Sequence, residues 1–274
     1  MRGIGTWGFE PRNAIEAIHH YERFAGWRLG ELAPNIPAPK SSKASNMLEY
    51  LYEMEDIANT QHAAWVRGGR VGREPSLAAK VKGWGGWIGE GLCGSNPNAT
   101  ARKDLGFLEV KTFGVTPDWK LREKFLPLTS FTWQMVNDRG FNDIKVKQKI
   151  TQSLLVPIIK HDAGIGRQAT ADEIANFMLG PPMVFLPDEP TVEDMRIEYN
   201  AVRGMVLLGN TAQVKASTFS HHTWLVPNTA GISSAKTTYT DARWPKHRRT
   251  THTVRVMKWN MPNVGLMKII QDHL

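Results

Sequence analysis

The segment that most constrains this chain is the nine-residue run DLGFLEVKT at residues 104–112. It is a short apolar run followed by turn-forming residues, a pattern typical of a β-strand. Side chains two positions apart on a strand lie on the same face, so we predict that Glu109 and Lys111 share a face. Because a charged pair on a mostly apolar strand is costly to bury without a partner, the pair indicates a functional site if it is buried.

A second carboxylate, Asp104, precedes Glu109 by five residues. Metal-dependent phosphodiester hydrolysis uses these residue types: carboxylates hold Mg2+, and a lysine orients or polarises the attacking water. We therefore predict Asp104 and Glu109 as metal ligands and Lys111 as a catalytic residue. The alternative is an ordinary strand whose Glu109–Lys111 pair faces solvent, because the E-x-K pattern is common.

The charge of the chain favours a polyanionic partner. Its 274 residues carry 34 Lys and Arg against 26 Asp and Glu, a formal net charge of +8, which suits nucleic acid better than a membrane. The length fits one large domain or two small ones. No apolar run approaches the roughly 20 residues that cross a bilayer, so we expect a soluble cytoplasmic protein with no membrane contact.

Several other kinds of chemistry have no support in the sequence. Cys93 is the only cysteine, which excludes an intrachain disulfide and a cysteine-based zinc site. The chain has nine histidines but no H-E-x-x-H motif, and adjacent His221 and His222 would point to opposite faces of a strand. Neither a G-x-S-x-G nor a Walker A sequence occurs.

Hydrophobic periodicity and turn residues predict a chain that mixes helices and strands. The predicted helices span residues 13–27, 27–32, 45–66, 76–92, 170–179, 191–208 and 264–273. The predicted strands, in addition to 104–112, span 126–136, 154–159 and 213–226. Thr170 with Glu173, and Thr191 with Asp194, have the spacing of capping boxes. Lys145, Lys147 and Lys149 alternate, so they lie on one face of a strand or are spread around a helix.

The predicted helix over 76–92 contains unusually many glycines, at positions 83, 85, 86 and 89. Each glycine costs about 1 kcal/mol relative to alanine inside a helix, so we expect another backbone or a ligand to pack closely against it. Glu90 lies about 200° around this helix from Ile88. Periodicity alone therefore predicts an exposed Glu90.

A basic stretch with interleaved aromatic residues runs from Lys236 to Lys258. It contains seven Lys or Arg and a single acid, Asp241. Trp244, Trp259 and two histidines are set among the basic residues. This composition is typical of nucleic-acid-binding segments, although a merely solvated basic loop has the same composition.

Three segments resemble the active-site region of the MutH-like DNA endonucleases, which include mismatch-repair nicking enzymes and GATC-cutting restriction enzymes: KGWGGWIGE at 82–90, GSNP at 94–97 and LGFLEVKT at 105–112. Further pieces resemble the family in the same order along the chain. They are AGWRLGELA at 25–33, VKQK at 146–149, LVPI at 155–158, GPPMVFLP at 180–187, VLLG at 206–209, and residues 255–274. The resemblance covers most of the chain.

The resemblance implies an α/β fold with a restriction-endonuclease-like PD-(D/E)xK core, in which a mixed β-sheet is flanked by helices and two arms form a DNA-binding cleft. It implies one nuclease domain over 1–274 with two lobes. The first lobe, about 1–125, would hold the active-site strand and an inserted helix near 40–76. The second lobe, about 126–274, would hold the DNA-reading loops. Glu109 and Lys111 match the E-x-K of the family, Glu90 its helical active-site glutamate, and Lys149 its further basic residue near the site.

The sequence departs from the family in three places. In the family, the gap between the metal-binding aspartate and the E-x-K is longer than the gap between Asp104 and Glu109 here. An offset of five residues puts Asp104 on the strand face opposite Glu109 unless the backbone turns or bulges between them. The alternative is that Asn96 or Asn98, instead of Asp104, occupies the position of the family's metal-binding aspartate. Val226-Pro227-Asn228 stands where the family has Arg-Pro-Lys, and residues 40–76 and 229–250 are an insertion and a lengthened basic loop.

The sequence therefore predicts a Mg2+-dependent endonuclease of duplex DNA, in which Mn2+ can substitute. The predicted catalytic residues are Glu90, Asp104, Glu109, Lys111 and Lys149. The predicted DNA-binding residues are Lys215, Asn228, Arg243, Lys246, Arg248, Arg249, Arg255 and Lys258. One site per monomer would nick DNA, whereas cutting both strands would need homodimerisation or an activating protein partner. The alternatives are a nuclease-derived DNA-binding protein with weakened catalysis, or an interaction protein whose basic charge is incidental.

Overall fold

A computed structural model describes most of the chain. It covers residues 12–39, 42–69, 84–93, 105, 108–131, 133–161, 169–229, 236–240, 251–255 and 257–273. The chain forms two compact units, Met1–Arg122 with Leu154–Val184, and Glu123–Ser153 with Phe185–Leu274. The first crossing between the units lies close to the predicted boundary at residue 125. Residues 154–184, which were expected in the second lobe, return to the first unit.

The protein is of the mixed α/β class, with sheets flanked by helices. The described helices are α1 (Ala14–Glu22), α2 (Leu29–Leu32), α3 (Met47–Arg67), α4 (Trp84–Leu92), α5 (Trp133–Asp138), α6 (Ile144–Thr151), α7 (Ala171–Asn176), α8 (Glu189–Leu207) and α9 (Asn263–His273). In the described part of the chain, no helix combines the length and the apolar sequence needed to span a membrane.

The described strands form three sheets. They are β1 (Glu109–Val115), β2 (Phe125–Phe131), β3 (Ser153–Ile159), β4 (Met178–Leu179), β5 (Met183–Phe185), β6 (Val226–Thr229), β7 (Lys236–Thr240), β8 (Thr251–Arg255) and β9 (Met257–Pro262). The first sheet has the order β1-β3-β4, with β5 also paired to β3. The second has the order β2-β9-β6, and the third is the pair β7-β8.

In the first unit, side-chain caps fix where the helices begin. Asn13 and Asn46 accept the backbone N–H groups three residues on at α1 and α3, and Thr170 with Glu173 forms the predicted capping box at α7. The helices and the first sheet enclose one apolar core that includes Leu32, Leu51 and Val156. Of the predicted insertion over 40–76, the described part is the long helix α3.

Glycines allow α4 to approach β1 closely. A Cβ atom added at Gly85 would lie 3.1 Å from Thr112 Oγ1, and one added at Gly89 would lie 3.0 Å from both Thr112 Cγ2 and Val110 Cγ1. At Gly91 an added Cβ would lie 2.2 Å from Ile36 Cγ2. The close packing predicted from the glycines is therefore confirmed at Gly85 and Gly89, where the partner is the strand that carries Glu109 and Lys111, whereas Gly86 faces open space and Gly83 lies outside the described residues.

In the second unit, the aromatic ring of Trp259 anchors the three-stranded sheet. Trp259 is 1% exposed and stacks against Phe131 on β2 and Tyr199 on α8, with ring centroids 4.7 and 4.9 Å away. Burial raises the pKa of Tyr199 to about 12, and its hydroxyl donates to the carbonyl of Arg139. The helix α8 therefore packs on the Trp259 face of the sheet.

The structure corrects two strand predictions. The predicted strand 126–136 is correct only over its first part, because β2 covers Phe125–Phe131 and residues 133–136 belong to helix α5. The predicted strand 213–226 instead begins at the end of one 3-10 helix, Thr211–Gln213, and contains a second, Ala216–Phe219, while β6 begins only at Val226.

Helix boundaries also differ from their predictions. Helix α1 ends at Glu22 rather than near residue 27, and Gly26 then turns the chain with a φ of +82°. The predicted helix 170–179 ends at Asn176, because Leu179 pairs with β3 and exchanges backbone hydrogen bonds with Gly26 and Trp27. The cap of α8 is Asp188, not Thr191.

The close packing of α4 predicts opposite effects for two glycine-to-alanine substitutions. Gly91→Ala forces a methyl group against the buried Ile36 side chain and should lower the free energy of unfolding by about 1–3 kcal/mol. Gly86→Ala adds a methyl group into open space within the same helix and should raise it by up to about 1 kcal/mol. Urea denaturation measures both, and equal effects of the two variants would contradict the packing described.

Candidate functional site

The strand β1 brings Glu109 and Lys111 together in a largely buried ion pair. Lys111 Nζ lies 2.8 Å from Glu109 Oε1 and donates a hydrogen bond to it. The Lys111 side chain is 18% exposed and that of Glu109 is 10% exposed. The predicted sharing of one strand face is confirmed, and the pair does not lie on a solvent-exposed face.

The second oxygen of Glu109 makes this carboxylate unusual. Glu109 Oε2 is buried and has no hydrogen-bond partner among the described residues. A buried acceptor without a partner costs about 1–3 kcal/mol, so it is a free ligand position in an otherwise enclosed site. Carboxylate oxygens are the ligands that Mg2+ takes from proteins, which often supply only one or two of them.

The backbone turns just before β1. Leu105 N donates to Leu108 O at 3.0 Å, a separation that an extended strand would not allow. The predicted strand over 104–112 therefore begins at Glu109 and runs on to Val115. Because of this turn, the alternation of strand faces does not extend back to residue 105. Asp104 can share a side with Glu109 only if the alternation is interrupted in this way. Asp104 itself, Asn96 and Asn98 lie outside the described residues, and within those residues no three His, Cys, Asp or Glu side chains cluster as a metal site.

Helix α4 places Glu90 at the level of the start of β1. Gly85 faces Thr112 and Gly89 faces Val110, so the helix and the strand run in opposite directions. Glu90 follows Gly89 directly and is half-buried, not exposed as periodicity predicts. On β1 the contacts of α4 are with Val110 and Thr112, which alternate with Glu109 and Lys111, so α4 packs on the face of the strand opposite the ion pair.

Two residues of α1 anchor the end of α4. His20 Nε2 lies 2.9 Å from the carbonyl oxygen of Leu92, and the Tyr21 hydroxyl donates to the carbonyl oxygen of Gly89 at 2.5 Å. Burial lowers the pKa of His20, so the imidazole is neutral near pH 7 and its Nε2–H can donate to Leu92. These bonds satisfy carbonyl groups that a helix end leaves without partners and so fix the position of Glu90.

Lys149 lies in the last turn of α6 and is half-buried. Because residues 145, 147 and 149 lie in this helix, the three lysines are spread around a helix and do not share one face of a strand. Lys149 belongs to the second unit, whereas Glu90, Glu109 and Lys111 belong to the first.

Two of the predicted DNA-binding residues are cross-strand partners. Asn228 on β6 lies opposite Lys258 on β9, and Lys258 also lies opposite Ser130 on β2. The three residues form a polar row across the sheet, and Lys258 alternates with the buried Trp259, whose ring packs against α8. Cross-strand partners share a face, so this row lies on the face away from α8.

The other predicted DNA-binding residues are more scattered. Lys215 is exposed just before a 3-10 helix. Arg255 lies on β8, opposite Lys236 on β7. Four residues fall outside the described part of the chain: Arg243, Lys246, Arg248 and Arg249.

Sequence reasoning missed Glu198, a buried carboxylate on α8. Its two oxygens accept the backbone N–H groups of Thr223, Trp224 and Leu225 at 2.6, 3.0 and 2.6 Å. It thereby shapes the segment that leads into β6 and Asn228, and it takes donors that a strand over 213–226 would use. A signal was present: Glu198 occupies a core position of α8, one residue before the buried Tyr199.

Comparison with known proteins does not assign the chain to a family. No family model matches it, and no curated protein matches it.

The ion pair on β1 predicts a strong coupling between its members. Lys111→Met leaves the Glu109 carboxylate buried without its partner and should lower the free energy of unfolding by about 3 kcal/mol. Adding Glu109→Gln to that variant removes the unpaired charge and should restore most of the loss. Chemical denaturation of the wild type, both single variants and the double variant measures the coupling, and additive losses would contradict it.

We predict that replacing Glu198 lowers stability by a similar amount, because hydrogen-bond acceptors are lost. Glu198→Ala leaves two buried N–H groups and one partly buried N–H group without acceptors and should lower the free energy of unfolding by about 3 kcal/mol. Glu198→Gln keeps one acceptor oxygen and should lose less. Thermal unfolding ranks the variants, and Glu193→Gln on the exposed side of the same helix is the control. A loss of stability in Glu198→Ala no larger than that of the control would contradict the role of Glu198 as a backbone acceptor.

Proposed function

We propose that this protein is a Mg2+-dependent endonuclease that hydrolyses phosphodiester bonds in duplex DNA. The observation that carries the proposal is the Glu109–Lys111 pair, buried on one strand and joined at 2.8 Å, with Glu109 Oε2 left without a partner. A structural ion pair would be expected to use all its acceptors, because a buried polar group normally has a hydrogen-bond partner. The open oxygen supports a role toward a bound cation.

Each residue of the site has a role that its chemistry permits. Glu109 Oε2, together with Asp104, would hold Mg2+, which when bound supplies positive charge beside the phosphate. Lys111 has three N–H donors and uses one for Glu109. Its remaining donors can orient the attacking water and hydrogen-bond a phosphate oxygen. Glu90, fixed by the anchored end of α4, would assist in placing the cation or the water.

The basic residues of the second unit support DNA as the substrate. Lys258 and Asn228 stand side by side on one face of the sheet β2-β9-β6, a lysine for phosphate contact beside an amide that can hydrogen-bond a base edge. Lys215 is exposed in the same unit. With the net charge of +8, these positions favour a polyanion, and we propose Arg255 as a further DNA contact and Lys149 as the catalytic residue that the resemblance implies.

We also propose that the chain is a MutH-like member of the PD-(D/E)xK superfamily, with a restriction-endonuclease-like core and a DNA-binding cleft. The support is the ordered set of sequence resemblances, together with the α/β class and the placement of E-x-K on a strand beside a glycine-rich helix. A single active site would nick one strand, and homodimerisation or an activating protein would permit a double-strand cut. Repair or restriction, at the nucleoid, is the setting that this function implies.

A nicking assay tests the proposal. With Mg2+ or Mn2+, the purified protein should convert supercoiled plasmid to open-circular or linear form, and chelation by EDTA should abolish conversion. Lys111→Ala should lower the rate by at least about 100-fold, because it removes the group that positions water and offsets phosphate charge. Lys43→Ala removes an exposed lysine of the same unit and should retain the wild-type rate.

Two results would contradict the proposal. One is plasmid that stays intact with either metal, on methylated and unmethylated DNA alike. The other is cleavage that Lys111→Ala and Lys43→Ala leave equally unchanged. Salt-dependent DNA binding without any cleavage would favour the weakened, DNA-binding alternative instead.

A further inference from the structure

The turn after β1 holds a tryptophan in a backbone conformation that tryptophan rarely adopts. Trp119 has a φ of +60°, and it is the only non-glycine residue with positive φ in the described part of the chain. Bulky side chains are outliers in the left-handed region, where glycine or asparagine is usual. Glycine there would relieve strain, so the indole needs a reason beyond the geometry of the turn.

Hydrogen bonds around the turn hold Trp119 in place. Trp119 N donates to Thr116 O, and Thr116 N donates to Lys120 O, both at 2.9 Å. This is the pattern of a hairpin whose turn is followed by a left-handed residue, a position that ordinarily takes glycine. The Thr116 hydroxyl also bonds Asp118, and Lys120 Nζ lies 2.7 Å from Asp118 Oδ2. The turn is therefore rigid enough to display one side chain in a fixed position.

An exposed lysine directly follows Trp119 in the turn. Lys120 is 80% exposed, and its pair with Asp118 is an exposed ion pair that a phosphate can replace at little cost. Lys160 N donates to Val115 O, and an Arg122 guanidinium N–H donates to Lys160 O, so both cations lie beside the turn.

The Trp119 side chain is only half-buried, and no aromatic ring or cation among the described residues stacks on it. The turn also lies on the same strand as the candidate active site. Val115 lies four positions after Lys111, a distance of about 13 Å along β1. This distance corresponds to about four base pairs of duplex. A half-buried indole beside an exposed lysine, in the turn that follows the strand of the candidate site, has the composition of a stacking contact to nucleic acid.

We propose that the Trp119 turn is a second DNA-contact element, in which the indole stacks on or wedges beside a base of duplex DNA while Lys120 contacts a phosphate. The choice of DNA rests on the proposed function. The element lies in the first unit, apart from the Asn228–Lys258 row of the second. The strained conformation of Trp119 is retained because a smaller residue would leave no stacking surface.

Equilibrium binding without metal tests the proposal independently of cleavage. Fluorescence anisotropy of a labelled duplex of mixed sequence, in EDTA, should give about 10-fold weaker binding for Trp119→Gly, whereas Trp119→Phe should retain most of the affinity. Trp119→Gly should unfold at a higher urea concentration than wild type, because glycine adopts positive φ without strain. Loss of affinity in a more stable protein cannot be attributed to misfolding.

The dependence of affinity on salt separates stacking from charge. Trp119→Gly should leave the slope of log affinity against log salt unchanged, whereas Lys120→Ala should reduce its magnitude by about one phosphate contact. Tyr52→Ala, which removes an exposed aromatic of the same unit far from the turn in sequence, should change neither quantity.

The outcomes distinguish this inference from the proposed function. If wild type binds DNA and Trp119→Gly binds equally well, the turn is not a contact and the inference fails alone. If wild type binds no duplex at any salt concentration, both fail. If Trp119→Gly is less stable than wild type and binds DNA equally well, the indole serves the fold, and the inference is wrong. Weaker binding that Trp119→Phe restores, at an unchanged salt slope, supports it.

Discussion

The enclosed ion pair between Glu109 and Lys111 is the interaction on which the rest of the candidate site depends. Removing two charges from water is unfavourable, and their mutual attraction compensates only when the geometry is good and the remaining donors and acceptors are satisfied. Here the geometry is good, at 2.8 Å, but Glu109 Oε2 is left over. The pair is therefore a poor device for stability and a suitable one for holding a cation next to a fixed ammonium group.

The rigidity of that pair comes from the helix behind the strand. Glycines at 85 and 89 let α4 rest on Val110 and Thr112 at a distance that alanine would not permit without adjustment. His20 and Tyr21 tie the carbonyl groups at the far end of α4 to α1. One arrangement thus fixes the strand that presents Glu109 and Lys111 and the helix that presents Glu90, and the intrinsic cost of the glycines is offset by packing.

How much the sequence predicted depended on whether local or distant contacts decided the structure. The α7 capping box, the shared face of Glu109 and Lys111 and the close packing of the glycine helix were predictable, because neighbouring residues determine them. The extent of β2 was not, since its partner in the ladder is β9, more than a hundred residues later. The segment 213–226 has apolar residues suited to a strand, but Glu198 takes its backbone donors. Trp119 violates the local preference for glycine, and the sequence alone gave no sign of it.

The two buried glutamates differ in a way that separates a structural role from a functional one. Glu198 accepts three backbone N–H groups with its two oxygens, so its charge is compensated by fixed dipoles within the protein. Glu109 receives one donor from a side chain, and its other oxygen has none among the described residues. A carboxylate whose two oxygens both accept backbone N–H groups is suited to holding the fold together. One that is buried and left incomplete is stabilised by whatever cation completes it, so the pattern of satisfied acceptors, more than the E-x-K spacing, argues that β1 carries the chemistry.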